Sequence, residues 1–140
     1  MADIAVFVDS RGGNTRKVAD AIAGELGASR GDLAAPLPAD AKILFLGSGT
    51  YGGAPGTGMM KFVTDNVFTG RKVALFGTSM AEAGAQKMIA ALGDALIKKG
   101  AIVLGNYQCR GKFLLFNRGR PGTEDLDNAK KFAREMLKAG

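Results

Sequence analysis

The chain has 140 residues, 46% of them hydrophobic and 23% charged, which suits one compact domain over residues 1–140 with its own core. Histidine is absent and Cys109 is the single cysteine, so a histidine general base and an internal disulfide are excluded, and a reducing cytoplasm is the expected location. The formal net charge of +6 allows an acidic protein, nucleic acid or an anionic membrane surface as partner and does not choose among them.

Four short apolar runs predict strands that are buried on both faces. None of them shows the polar alternation of a half-exposed strand, and the first is too short for a signal peptide or a membrane span. A fifth, weaker strand is expected near residues 29–33, because the chain needs a crossover between the first helix and Pro36. The four runs are residues 4–8, 43–46, 73–76 and 102–104.

Helical patterns alternate with these runs and predict an α/β fold with a five-stranded sheet. The last helix has Thr123 as its candidate N-cap, with acidic residues early and basic residues late, as the helix dipole favours. Before that helix, Gly105 to Gly122 is expected to form an irregular basic loop. Apolar residues at helical spacing mark one face of each segment: Val18, Ile22 and Leu26; Met59, Phe62, Val63 and Val67; Met88, Leu92 and Leu96; Leu126, Ala129, Ala133 and Met136.

Three loops rich in glycine and hydroxyl residues follow the first, third and fourth strands. They read DSRGGNT, GSGTYGGAPGTG and GTSMAEAGAQ. Ligands of open parallel sheets bind beyond the carboxyl ends of the strands, so these loops are the candidate binding site. In the first loop Arg11, Arg16 and Lys17 surround a helix start, where cations oppose the helix dipole. A bound anion would remove that conflict.

Other nucleotide motifs are weaker in this sequence. The stretch from Gly47 to Gly52 is a literal G-x-G-x-x-G, but it follows the third strand, and Pro55 with further glycines delays the helix. A Walker loop is absent, because Gly105 to Lys112 is one residue too long and Phe113 follows. The basic stretch also contains Phe116 but carries no nucleic-acid fold signature, so nucleic acid is a disfavoured partner.

Three stretches of the sequence resemble the flavodoxin family. SRGGNT after the first strand is similar to the flavodoxin phosphate loop, GTYGGAPG to the loop that carries an aromatic against the flavin, and GRPGTEDLDNAKKF to the opening of the last helix. The resemblance spans nearly the whole chain and is closest to short-chain members. It implies a doubly wound parallel sheet of order 2-1-3-4-5 with helices on both faces, and flavin mononucleotide (FMN) as the cofactor.

The resemblance also implies a set of cofactor-binding residues. The first loop would hold the phosphate, with Gly12 standing where many flavodoxins have a hydroxyl residue, and Tyr51 would stack on the flavin ring. At Gly52 and Gly53 flavodoxins can flip a peptide toward the reduced flavin, whereas the second aromatic that they commonly have in the third loop is replaced here by Met80. The full set is Ser10, Arg11, Gly12, Gly13, Asn14, Thr15, Gly49, Thr50, Tyr51, Gly52, Gly53, Gly77, Thr78, Ser79 and Met80.

The function that the resemblance implies is electron transfer between redox partner proteins. A carrier needs no catalytic side chain and no metal, because the flavin supplies the redox chemistry. A small flavoenzyme acting on an organic substrate, similar to quinone-linked oxidases, and a flavin-free binding module remain alternatives. Six cations form a basic patch in the sequence that would dock an acidic redox partner, unless they are simply a solvated surface: Lys98, Lys99, Arg110, Lys112, Arg118 and Arg120.

Overall fold

A computed structural model describes residues 3–111, 117 and 119–140, and over these residues strands alternate with helices around one parallel sheet. The sheet order is β2-β1-β3-β4-β5, which confirms the predicted doubly wound fold. The elements in chain order are β1 (Ile4–Asp9), α1 (Asn14–Leu26), β2 (Ser29–Arg30), β3 (Ile43–Gly49), α2 (Thr57–Asp65), β4 (Lys72–Ser79), α3 (Glu82–Lys98), β5 (Ile102–Arg110) and α4 (Thr123–Ala139).

Two apolar layers cover the sheet. Successive strand residues point to opposite faces, so Leu44 and Leu46 of β3 pack with α2 and α3, whereas Phe45 between them packs with α1 and α4. All seven residues of β3 are buried, as the unbroken apolar pattern predicts for a central parallel strand. The close packing depends on Gly47, where a Cβ would lie 2.0 Å from the ring of Phe76.

The strand order places the candidate loops together. The chain starts in β1, moves outward to β2 and then returns to β3 on the other side of β1. The strand order therefore reverses between β1 and β3, and the helices that follow these two strands lie on opposite faces of the sheet. A crevice opens at such a point beyond the carboxyl ends of the strands.

Three local predictions are wrong. Gly105 to Arg110 are not loop but continue β5, which pairs with β4 as far as Ser79 and Arg110; the edge position leaves β5 partly exposed and accommodates its polar residues. Helix α2 ends at Asp65, and Val67 is 74% exposed while the neighbouring Phe68 fills the core.

The third difference is the cap of α4. Its N-cap is Gly122 rather than Thr123, and the Asp125 carboxylate accepts the Gly122 N–H at 2.8 Å. The side chain of Asp125, the third residue of the helix, thus caps the N-terminus of its own helix.

No helix in residues 3–111 and 119–140 is long and apolar enough to cross a membrane. Six residues of the predicted basic loop lie outside the described residues: Lys112, Phe113, Leu114, Leu115, Phe116 and Arg118.

Candidate cofactor site at the carboxyl ends of the strands

A cleft of about 510 Å³ lies at the carboxyl ends of β1, β3 and β4. The structure brings thirteen of the predicted site residues into its lining: Ser10, Arg11, Gly12, Asn14, Thr15, Gly49, Thr50, Tyr51, Gly52, Gly53, Thr78, Ser79 and Met80. Gly13 and Gly77 are the two that do not line it. Gly13 is the N-cap residue of α1 in the first loop. Gly77 lies within β4, where a Cβ would meet Met88 at 2.2 Å.

The first loop is held in a turn that leads directly into α1. The Gly13 N–H donates to Ser10 Oγ at 3.1 Å, and Gly13 is the helix N-cap with a left-handed φ of 88°. No acidic residue occupies the first turn of α1, and Arg16 donates to the carbonyl of Ser10 at 3.3 Å. Because the first N–H groups of a helix lack intrahelical acceptors, this end of the cleft suits an anion.

A buried hydroxyl pair joins the first loop to the third. Thr15 and Thr78 are 1% and 3% exposed, and their Oγ1 atoms lie 2.8 Å apart in a hydrogen bond. The Thr50 hydroxyl donates to the carbonyl of Thr78 at 2.9 Å, so the second loop joins the same junction. These bonds hold the start of α1 at a set distance from the ends of β3 and β4.

The second loop closes on a tight two-residue turn. Tyr51 and Ala54 exchange backbone hydrogen bonds of 2.9 and 3.2 Å, and Gly52 and Gly53 between them have φ of 64° and 79°. Two consecutive positive φ values are the pattern of a type I′ turn, which glycine adopts without a Cβ penalty. Against this turn lies the aliphatic chain of Lys87 from α3, 2.9 Å from where a Gly53 Cβ would stand.

The Tyr51 side chain folds back from this turn toward the first loop. Its hydroxyl accepts the Arg11 backbone N–H at 3.1 Å, and the Arg11 guanidinium carbon lies 4.0 Å from the ring centroid. The ring passes over Gly49, where a Cβ would lie 2.6 Å from the tyrosine hydroxyl. Glycine at this position therefore leaves the space that the aromatic side chain occupies.

The third loop contributes an exposed methionine and two residues that the sequence patterns missed, and the residue after β5 is a third. Met80 is 47% exposed, and its carbonyl accepts the Asn117 side-chain amide at 2.8 Å. Ala81, Gly84 and Gly111 also line the cleft. Ala81 and Gly84 belong to the predicted third loop and could have been included, whereas Gly111 reaches the cleft because β5 continues to Arg110, beyond its predicted end at residue 104.

Arg11 carries the only formal charge among the described residues that line the cleft. A net positive cleft beside a helix N-terminus favours a phosphate, which carries nearly two negative charges. Groups of three or more histidine, cysteine or carboxylate side chains that could hold a metal ion do not occur in the described ranges. The N–H groups at the start of α1 and the Arg11 charge therefore fit the phosphate of FMN. The aromatic ring of Tyr51 lies beside them, with its centroid 4.0 Å from the Arg11 guanidinium carbon.

The basic patch predicted from the sequence is divided between two ends of the sheet. Lys98 and Lys99 precede β5, and Arg110 ends it, so these cations are separated by the length of a nine-residue strand, roughly 26 Å. Arg120 is bound to Asp125, with Nη2 2.7 Å from Oδ1. Only the end of the patch near Arg110 lies beside the cleft.

A second ionisable cluster lies behind Arg110, next to the cleft. Burial raises the pKa of the Cys109 thiol to about 12, and the Asp125 charge adds to the increase. Burial likewise raises the pKa of Tyr107, whose hydroxyl donates to the carbonyl of Asp125 at 2.7 Å. For Asp125 burial opposes ionisation, but the bonds from Arg120 and the Gly122 N–H lower its pKa overall. Burial in this cluster therefore favours the protonated thiol over the thiolate.

A larger depression, about 740 Å³, lies at the opposite end of the sheet between Glu25, Arg71 and Arg134. Three of its charged side chains are already engaged: Arg134 contacts Glu25 at 2.7 Å, and Arg71 donates to two backbone carbonyls. It contains none of the loops that follow the carboxyl ends of the strands. The smaller cleft is therefore the stronger candidate for a ligand.

Comparisons with known proteins agree with this architecture. A family model described as Flavodoxin domain matches residues 5–115. An uncharacterized protein of Methanocaldococcus jannaschii is 31% identical over an alignment of 136 residues. The alignment covers 89% of this chain and 91% of that protein.

Two solved structures illustrate the range of proteins with this fold. Oxidised flavodoxin 2 of Bacillus cereus matches with a TM-score of 0.77 at 21% identity and covers 99% of both chains. Rubredoxin oxygen:oxidoreductase of Desulfovibrio gigas matches with a TM-score of 0.76 at 15% identity, over 99% of this chain and 36% of that one. At these identities the two matches show a shared fold, and function has to be argued from the cleft.

Proposed function

The chain belongs to the flavodoxin family, and from that premise we propose that it binds FMN in the cleft and carries electrons between redox partner proteins. The observation that carries the proposal is the arrangement of the cleft. The N-terminal end of α1 and the Arg11 charge lie at one side, and an aromatic side chain on a glycine turn reaches toward them from β3. FMN would supply the one- and two-electron chemistry of the isoalloxazine ring.

The proposed roles follow from the contacts of each loop. The N–H groups at the start of α1 and the side chains of Ser10, Asn14 and Thr15 bind the phosphate, and Gly12 leaves open space beside them, with no atom within 4 Å of a Cβ placed there. Tyr51 stacks on the ring, which stabilises the complex by about 0.5 to 1.5 kcal/mol beyond its buried area. Thr50, Thr78 and the backbone of the third loop frame the remaining edge.

Electron transfer is favoured over substrate chemistry by the lining of the cleft. Apart from Arg11 and Tyr51, its described residues have no titratable side chain, so no group is placed to donate or accept a proton from an organic substrate. One observation favours the alternative of a small FMN-dependent oxidoreductase. Met80 is 47% exposed where a second aromatic would cover the ring, and this leaves room for a substrate such as a quinone.

Binding of FMN is tested by comparing two flavins that differ only in the phosphate. We expect Asn14→Ala and Thr15→Ala to weaken FMN binding by about 1.5 to 3 kcal/mol, the contribution of a hydrogen bond to a charged group, and riboflavin binding by much less. Thr64→Ala on the exposed face of α2 is the matched control. Equal losses for the two flavins would show that this loop does not bind the phosphate, and a protein that purifies without flavin and binds none would contradict the proposal.

The carrier and the oxidoreductase are separated by potentiometry and turnover. A carrier is expected to take up electrons in two separate one-electron steps and to reduce a partner protein faster than any small quinone. Steady-state quinone reduction that saturates with substrate, together with a single two-electron step, would favour the oxidoreductase instead.

A further inference from the structure

One side chain joins the phosphate end of the cleft to its aromatic loop. Arg11 and Tyr51 are 40 residues apart in sequence, yet two contacts connect them: the backbone N–H of Arg11 donates to the tyrosine hydroxyl at 3.1 Å, and its guanidinium lies over the ring at 4.0 Å. The N–H bond sets where the hydroxyl end of the ring lies. The guanidinium covers one face of the ring with a permanent positive charge.

We propose that Arg11 is a positioning residue for Tyr51. From the first loop, Arg11 holds one face of the tyrosine ring so that the opposite face meets the flavin. This inference rests on the proposed binding of FMN and changes the role of Arg11 within it. Because the guanidinium lies on the ring, its direct contact acts through Tyr51 on the isoalloxazine, while its charge still contributes to the positive field of the cleft.

The surroundings of Arg11 support this assignment. Among the described residues no carboxylate forms an ion pair with Arg11, whereas Arg120 and Arg134 each have one. The neighbouring cation Arg16 instead donates to the Ser10 carbonyl at the outside of the same loop. Arg16 therefore carries the same charge five residues further along the chain without lining the cleft or contacting Tyr51, which makes it a matched control.

The charge has a consequence for the redox potential. An electron-rich tyrosine ring stacked on the flavin disfavours the anionic reduced flavin. A cation on the far face of the tyrosine ring draws the electron density of that ring toward itself and so weakens this effect. Arg11 thereby raises the reduction potential relative to a protein in which Tyr51 stacks alone. This shift of the reduction potential is opposite in sign to the shift that a carboxylate near the flavin ring would cause.

The first experiment titrates riboflavin and FMN against Arg11→Ala, Arg11→Lys and Arg16→Ala. We expect Arg11→Ala to weaken riboflavin binding roughly two- to fivefold and to lower the reduction potential, with Arg11→Lys intermediate because it keeps the charge and loses the planar contact. Arg16→Ala should leave riboflavin affinity unchanged and weaken only FMN. The inference is overturned if Arg11→Ala leaves riboflavin affinity unchanged, since the guanidinium would then serve the phosphate, or if it tightens binding, since the ring would then displace the guanidinium.

The second experiment needs no flavin. A double-mutant cycle of Arg11→Ala and Tyr51→Leu, read from urea unfolding of the flavin-free protein, should give a coupling equal to roughly a two- to fivefold change in the unfolding equilibrium constant. Additive effects would show that the pair does not interact. Coupling in a protein that binds no flavin would refute the proposed function and leave only the Arg11–Tyr51 contact of the inference, whereas flavin binding without coupling would overturn the Arg11 inference and leave the proposed function in place.

Discussion

The hydroxyl pair between Thr15 and Thr78 allows a direct test of how the cleft is held together. The two residues lie 63 positions apart, one at the start of α1 and one near the end of β4. Valine has nearly the shape of threonine, so Thr15→Val and Thr78→Val each remove one hydroxyl and leave the packing in place. Both side chains are buried, 1% and 3% exposed, so the remaining hydroxyl cannot turn to bulk water.

The magnitude follows from this burial. Each single variant leaves one buried hydroxyl without its 2.8 Å partner, and an unsatisfied buried polar group costs about 1 to 3 kcal/mol. In the double variant no unpaired hydroxyl remains, and replacing both partners by apolar groups of the same shape is nearly neutral. We therefore expect the double variant to be more stable than the sum of the two single changes predicts, by about 1 kcal/mol or more.

The assay is urea unfolding of the flavin-free wild-type protein and the three variants, monitored by circular dichroism. The unfolding free energies are compared only if the slope of free energy against urea concentration is the same in all four proteins. Thr64→Val is the control, because its hydroxyl donates to the Met60 carbonyl on the exposed surface of α2, where water replaces the lost bond. Strictly additive losses for Thr15 and Thr78 would refute the reasoning, since each hydroxyl would then be satisfied without the other.

Three further predictions concern the turn, the α4 cap and the rim. Gly53→Val should destabilise the flavin-free protein by about 1 to 2 kcal/mol, because φ is 79° and the Lys87 chain lies in the way, whereas Gly12→Ala, with open space, should change the unfolding free energy little. Asp125→Asn should cost about 1.5 to 3 kcal/mol at pH 7, toward the lower value because its guanidinium partner is 42% exposed. Because the folded pKa of Asp125 is lowered, this difference is complete above the unfolded value of 3.8 and should disappear as pH falls through the folded value; a difference as large below pH 3.8 as at pH 7 would contradict it. Arg110→Gln should reduce the rate of electron transfer to an acidic partner and its salt dependence, while Lys98→Gln at the opposite end of the sheet should not; equal effects of the two would rule out docking beside the cleft.

The sequence was sufficient to predict most of the elements and to select the loops that the structure brings together in one cleft. Uninterrupted apolar runs predicted the central strands, helical spacing predicted the helices, and the family resemblance implied the sheet order that the structure confirms. These features depend on local preferences and on burial patterns that repeat within a few residues. The glycine- and hydroxyl-rich loops follow the strands directly, so their convergence is a consequence of parallel strands sharing one edge.

Boundaries and surface groupings were less accessible. The sequence pattern ended β5 at residue 104 because polar residues follow, but an edge strand can continue through polar residues when its backbone pairs with β4. The basic patch was one cluster in sequence and two in space, because the strand that separates Lys99 from Arg110 carries them to opposite ends of the sheet. Distance along an extended strand separates residues that a sequence count treats as neighbours.

By itself the sequence determined where most strands and helices lie and which glycine- and hydroxyl-rich loops follow the strands, since each of these depends on residues close together in the chain. Only the tertiary structure decided which residues meet: that Arg11 lies on Tyr51, that Thr15 shares a hydrogen bond with Thr78, and that Gly77 packs against Met88 instead of lining the cleft. Such pairs form between loops that meet only after the crossovers have placed their strands side by side. Their contacts depend on the relative positions of whole elements, which no local pattern of residues encodes.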